Sequence, residues 1–194
     1  MNQIFNNSQE ATVNSRFSGK RKNIYALTFC GLMGALAIVL SYTTSIELGP
    51  YIRIGFSGYP NRIVEFVLGP VAGAVFGGAM DILKFILKPT GAYFPGFTFS
   101  AIAAGLIYGF FLYKKKLVWW RVLAAEFCVK LFVNCILNTL WLNILYGKAF
   151  FAIFPARALK NLIALPVDTI LLLLILGIIE KNRKKNGYSF FSKC

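Results

Sequence analysis

Three ionisable side chains sit inside a run that is otherwise apolar. Asp81, Lys84 and Lys88 follow one another at i, i+3 and i+7 within GPVAGAVFGGAMDILKFILK. That spacing places all three on one helix face, with Phe85 beside them. A charge in an apolar span costs at least about 2.5 kcal/mol, so it faces a bundle interior or a watered cavity. The aromatic loop Tyr93–Phe94–Pro95–Gly96–Phe97 follows directly. A carboxylate accepts from adjacent N–H groups, ammonium groups hold carboxylates, and aromatic rings sandwich a flat ring. Together these are the parts of a site for a small polar molecule.

Other polar groups fall at the same predicted depth. A later run carries Glu126, Lys130, Asn134 and Asn138 at steps of four, with Trp141 three further. The last run opens with Arg157, Lys160 and Asn161 on one face, and Asp168 lies deeper on it. Arg53 sits in an early loop. The candidate ligand-binding set is therefore Arg53, Asp81, Lys84, Lys88, Tyr93, Phe94, Asn134, Asn138, Trp141, Arg157 and Lys160. Each also has a structural reading. Asp81 and Lys84 can form an internal salt bridge, and Glu126 and Lys130 can neutralise each other. Arg62 and Glu65, at i and i+3, are expected to pair. Trp141 can anchor a membrane interface, and the asparagines can join helices. Their convergence is what favours a binding site.

Catalytic chemistry is poorly supplied. The chain has no His, which removes the commonest general base and a principal zinc ligand. It carries no phosphate-binding G-x-x-x-x-G-K-[ST] loop, no H-E-x-x-H and no G-x-S-x-G. Cys30, Cys128, Cys135 and Cys194 form no C-x-x-C pair and are expected to be small apolar packing residues. No catalytic residue, metal or cofactor is expected. If the chain takes part in uphill transport, ATP hydrolysis belongs to another chain.

The elements that must position these groups are membrane helices. The sequence is 57% apolar and 16% aromatic, too apolar for an ordinary soluble domain. The expected fold is an all-α integral membrane protein of six transmembrane helices, near 24–42, 59–68, 71–87, 97–113, 118–146 and 156–179. Residues 1–22 are a polar tail, 23–181 the membrane domain, and 182–194 a basic tail. Between the first two spans, YIRIGF alternates like a short extended piece. The formal charge of +14 comes mostly from three clusters: before the first span, at Lys114–Lys116, and after the last. This is positive-inside placement, so both termini are expected in the cytoplasm and nucleic acid is not the partner. Bases beside the opposite loops suit an anionic ligand arriving from outside.

The first span repeats small residues: Ala26, Cys30 and Gly34, then Gly31 and Ala35. Such faces let helix backbones approach closely, within the bundle or against a partner protein.

The segments YIRIGF (51–56), GPVAGA (69–74), DILKFILKPTGAYFPGFTFSA (81–101) and GLIYG (105–109) resemble the folate-specific substrate-binding subunits of bacterial energy-coupling factor transporters. The similarity spans about residues 24–180, with PTGAYFPGFT its most specific part. It implies a multi-pass protein of a bacterial cell membrane that captures folate from outside. It implies a transmembrane coupling subunit and two cytosolic ATPases as partners. It also implies gating by the loops 43–58 and 88–96, and docking on the coupling subunit through Ala26, Cys30, Gly31, Gly34 and Ala35. Cys30, Gly31 and Gly34 stand where that family commonly has alanine. Subunits for riboflavin, thiamine or pantothenate, and a membrane scaffold that binds no small molecule, are the competing classes.

Overall fold

The computed structural model describes residues 24–44, 46–48, 52–89, 93–147 and 150–185. Helix α1 spans Ile24–Thr43. A two-stranded antiparallel hairpin follows, β1 (Ile46–Leu48) against β2 (Ile52–Ile54), with Glu47 opposite Arg53. Next come α2 (Tyr59–Leu68), α3 (Pro70–Leu87) and α4 (Pro95–Leu112). One long rod then comprises α5 (Trp119–Cys128), a π-helical stretch (Val129–Leu137) and α6 (Asn138–Tyr146). Helix α7 (Phe150–Lys185) completes the described chain.

Proline and glycine set the boundaries. Pro60, Pro70 and Pro95 lie in the first turns of α2, α3 and α4, where the missing N–H costs nothing. Gly69 separates α2 from α3 at φ +96°, a conformation that side chains resist. Helix α7 begins earlier than the expected start near residue 156, so Pro155 lies inside it rather than ending a loop. The apolar stretch Phe150–Phe154 continues the helix upstream, and Pro155, its sixth residue, forgoes one backbone bond within it.

Among the described residues, five helical stretches are long and apolar enough to cross a membrane: α1, α3, α4, the Trp119–Leu145 rod and Arg157–Asn182. The ten residues of α2 span only about 15 Å, half a bilayer core. The expected second span is thus a half-length helix, preceded by a hairpin. Large apolar side chains such as Leu27, Val71, Phe110, Leu162 and Ile178 are exposed around the bundle. Water would not tolerate so much exposed apolar surface, whereas lipid does.

Helices α3 and α4 pack closely through glycine. A Cβ at Gly105 would lie 2.7 Å from the Gly73 carbonyl oxygen, and one at Gly77 would lie 2.9 Å from that of Ala101. The larger core joins Tyr59, Phe66, Tyr108, Leu112, Val122, Val133 and Leu172 across α2, α4, the α5–α6 rod and α7. A second core places Ala37 of α1 against Val64, Phe76 and Met80.

Candidate functional site

The tight α3–α4 seam brings short polar side chains within reach of each other. Thr98 donates its hydroxyl to Asp81 Oδ2 at 2.8 Å. Tyr93 Oη lies 3.3 Å from the same threonine oxygen. Thr98 has spent its proton on the carboxylate, so Tyr93 is the donor in that contact. The Tyr93 ring also packs on Phe85, with centroids 5.1 Å apart. Asp81 and Tyr93 thus meet through Thr98.

A second group forms where α4 meets α6. Trp141 donates its indole N–H to Ser100 Oγ at 3.0 Å, and its ring lies 5.6 Å from that of Phe94. Gly96 makes room here: a Cβ would lie 2.6 Å from the indole and 2.5 Å from the Phe94 ring, so both rings would have to shift. Asn138 donates to Asn134 Oδ1 at 3.3 Å, while Arg157 donates to the Asn134 carbonyl at 3.3 Å. The Asn138 amide oxygen is buried and finds no hydrogen-bond partner among the described residues. An unpaired buried acceptor is costly unless a ligand or water supplies a donor.

The remaining candidates lie around these groups. Lys84 donates to the Ser57 carbonyl at 3.0 Å, tying α3 to the strand-to-α2 connection. Lys88 Nζ lies 5.9 Å from the Tyr42 ring centroid, at the end of α3 where Tyr42 also donates to the Leu87 carbonyl. Lys160 is half-buried on α7, one residue before Asn161, which donates to Cys135 Sγ at 3.2 Å. Arg53 is placed in β2, and its side chain lies outside the described residues.

Beneath the site, the expected ion pairs exchange partners. Arg62 does not pair with Glu65: its Nε donates to Glu126 Oε1 at 3.1 Å and its Nη2 to Tyr108 Oη at 2.8 Å. Lys130 does not pair with Glu126: it bonds Asp168, which also accepts from Tyr59 Oη at 2.8 Å. Glu126 is fully buried, so its pairing is decided by what crosses the bundle, not by its own helix. Thr98, Ser100, Tyr59 and Tyr108 were absent from the expected set. Thr98 and Ser100 carried one signal, as polar residues directly after the Tyr93–Phe97 loop.

On α1, Gly34 packs inward, with its Cβ direction 3.2 Å from Met80 Sδ, whereas Gly31 opens onto empty space. Cys30 lies against the second core, Ala26 is half-buried, and Ala35 is exposed.

Residues 25–176 match the family model described as ECF transporter, substrate-specific component. The chain is 36% identical over 172 residues to "Folate transporter FolT" of Clostridium novyi (strain NT), covering 89% of this chain and 99% of that one. It is 30% identical over 139 residues to "Riboflavin transporter RibU" of Staphylococcus aureus (strain TCH60), covering 68% and 72%. A crystal structure of FolT bound with folic acid superposes with a TM-score of 0.72 at 32% identity, over 77% of this chain and 90% of that one. A biotin S-component at 21% identity and TM-score 0.62 shares the fold. With four-fifths of its length under the family model, the chain belongs to the substrate-specific components of ECF transporters.

Proposed function

We propose that this protein captures folate outside a bacterial cell and delivers it inward as the substrate-binding subunit of an ATP-driven ECF transporter. The identity to FolT across nearly the whole of that relative supports the substrate. In the site, one observation carries most weight: the buried, unpartnered Asn138 oxygen sits one helical turn from Trp141, which faces Phe94. An acceptor lacking a donor beside two aromatic rings suits a pterin, which is flat and bears N–H groups along one edge. Asp81 offers a second acceptor in the same half of the bundle. The dianionic glutamate tail of folate suits Lys84, Lys88, Arg157, Lys160 and Arg53.

Six membrane passes follow if α2 and the hairpin before it together make one pass. Both termini then lie in the cytoplasm with the basic segments. Ligand enters from the hairpin side, over the loops 43–58 and 88–96. Folate uptake needs a coupling subunit and ATPases on other chains, because this chain carries no nucleotide-binding motif.

The test is ligand titration of the purified protein in detergent, read by tryptophan fluorescence and calorimetry. Folate, riboflavin, thiamine and pantothenate are compared. Saturable one-to-one binding of folate alone, at nanomolar to low micromolar concentration, is expected. Saturable binding of riboflavin without folate overturns the substrate and keeps the transporter. No binding of any vitamin by a folded sample favours the scaffold.

A further inference from the structure

We propose that the α4–α5 turn and the first turn of α5 form a binding site for the headgroup of an anionic phospholipid. The site is independent of the folate reading. Lys114, Lys115, Lys116 and Arg121 are all exposed, and no acid interrupts the sequence from Phe110 to Arg121. These bases border exposed rings. Trp119 and Trp120 stack with centroids 4.0 Å apart, 49% and 61% exposed, and Phe110 is 70% exposed.

The cations are seated on rings. Lys115 Nζ lies 4.7 Å from the Phe110 centroid, and Lys114 Nζ lies 5.0 Å from that of Tyr113. The turn is anchored to the bundle from beneath. Tyr113 N–H donates to the Gly109 carbonyl at 2.9 Å, its ring covers Gly69, and Leu117 approaches Gly177 of α7. Lys114 holds φ +53°, where glycine or asparagine would be less strained. A lysine kept in a costly backbone conformation points to a use for its side chain. One turn beyond Gly177, α7 adds Glu180 and Lys181, whose charges offset each other. The α7 sequence continues with Arg183, Lys184 and Lys185, so the basic excess is not confined to residues 114–121, which carry four bases and no acid.

An occupant must offer anionic oxygen to the ammonium groups and an apolar body to the rings at the same level. An anionic phospholipid has both. A choline headgroup would bring a further cation among four bases.

The experiment uses the full chain in detergent micelles containing brominated phosphatidylglycerol or brominated phosphatidylcholine. Bromine quenches nearby indoles, and Trp141 at the far end supplies a constant background. Phosphatidylglycerol is expected to quench at a mole fraction about tenfold lower than phosphatidylcholine, a difference that shrinks at high salt. Lys114→Gln/Lys115→Gln/Lys116→Gln is expected to abolish the preference. The corresponding triple Arg variant is expected to keep it. Equal quenching by both lipids overturns the proposal, as does an unchanged preference in the Gln variant. Complete displacement by inorganic phosphate overturns it in favour of a simple anion site. Displacement by a soluble acidic polypeptide but not by unbrominated phosphatidylglycerol overturns it in favour of a protein partner. Should the Gln variant misfold, the wild-type lipid comparison and its salt dependence decide.

Discussion

Thr98 gives its hydroxyl proton to Asp81 across the α3–α4 seam at 2.8 Å. Two side chains this short meet only because glycines let the helix backbones approach, with Gly105 against Gly73 and Gly77 against Ala101. The carboxylate is thereby fixed in orientation. Asp81→Asn is expected to weaken folate binding at least about tenfold, or about 1.4 kcal/mol, with the protein still folded. Calorimetry checks it, and unchanged affinity removes Asp81 from the site.

The Trp141 indole is held by Ser100 on one side and faces Phe94 on the other. Trp141→Phe keeps an aromatic face but loses the bond to Ser100. Folate affinity is expected to fall about fivefold to tenfold, in line with a lost hydrogen bond and reduced ring contact. Most of the ligand-induced fluorescence change is expected to vanish, because Trp119 and Trp120 lie at the opposite end of the rod. A full fluorescence change in this variant would place the ligand elsewhere.

The extent of the helices was legible because apolar runs and prolines mark them. Residues 59–68 were expected and α2 occupies them, and α3 and α4 start at Pro70 and Pro95. The partners of the buried charges were not legible. Sequence spacing offers Glu65 to Arg62 and Glu126 to Lys130, but burial rewards whichever geometry satisfies most lone pairs. Arg62 reaches both Glu126 and Tyr108, which Glu65 does not offer it. The π-helical stretch Val129–Leu137 is a further reason. Its i→i+5 winding changes the angle between residues four apart from that in an α-helix. No periodicity in the sequence signals that change of winding. The hairpin was partly legible, since alternation in YIRIGF is a strand signal while its pairing with Ile46–Leu48 is not.

The Arg62–Glu126 pair supports a stability prediction. Arg62→Met leaves the Glu126 carboxylate fully buried without its cation. The expected loss is about 3–5 kcal/mol, seen as a lowered midpoint in thermal unfolding of the detergent-solubilised protein. Arg62→Met combined with Glu126→Gln is expected to recover part of that loss, because no charge is stranded. If the double variant is no more stable than the single one, the pair is not the cause.

Gly105 offers a steric prediction that is independent of charge. A Cβ there would sit 2.7 Å from the Gly73 carbonyl oxygen and 2.9 Å from the Ala74 Cα, so the clash is with backbone. Gly105→Val is expected to cost about 1–3 kcal/mol and to weaken folate binding by separating Asp81 from Thr98. Gly147→Ala meets nothing within 4 Å but has φ +61°. It is expected to be milder and to leave binding unchanged. The two variants compared by thermal unfolding and calorimetry separate seam packing from backbone strain.

Gly31 and Gly34 divide the surface of α1 between the protein and its surroundings. The Cβ direction of Gly34 meets Met80 and Phe76, whereas that of Gly31 meets nothing within 4 Å. Gly34→Leu therefore overpacks the second core, and lower stability is expected. Gly31→Leu adds bulk only to the outward face, beside exposed Leu27 and Ala35. If that face docks on the coupling subunit, Gly31→Leu is expected to leave unfolding and folate affinity unchanged. It should reduce co-purification with the coupling subunit, and ATP-dependent uptake in vesicles, at least about tenfold, because a small-residue seam tolerates no large side chain. Normal assembly and uptake by Gly31→Leu would show that docking uses another face.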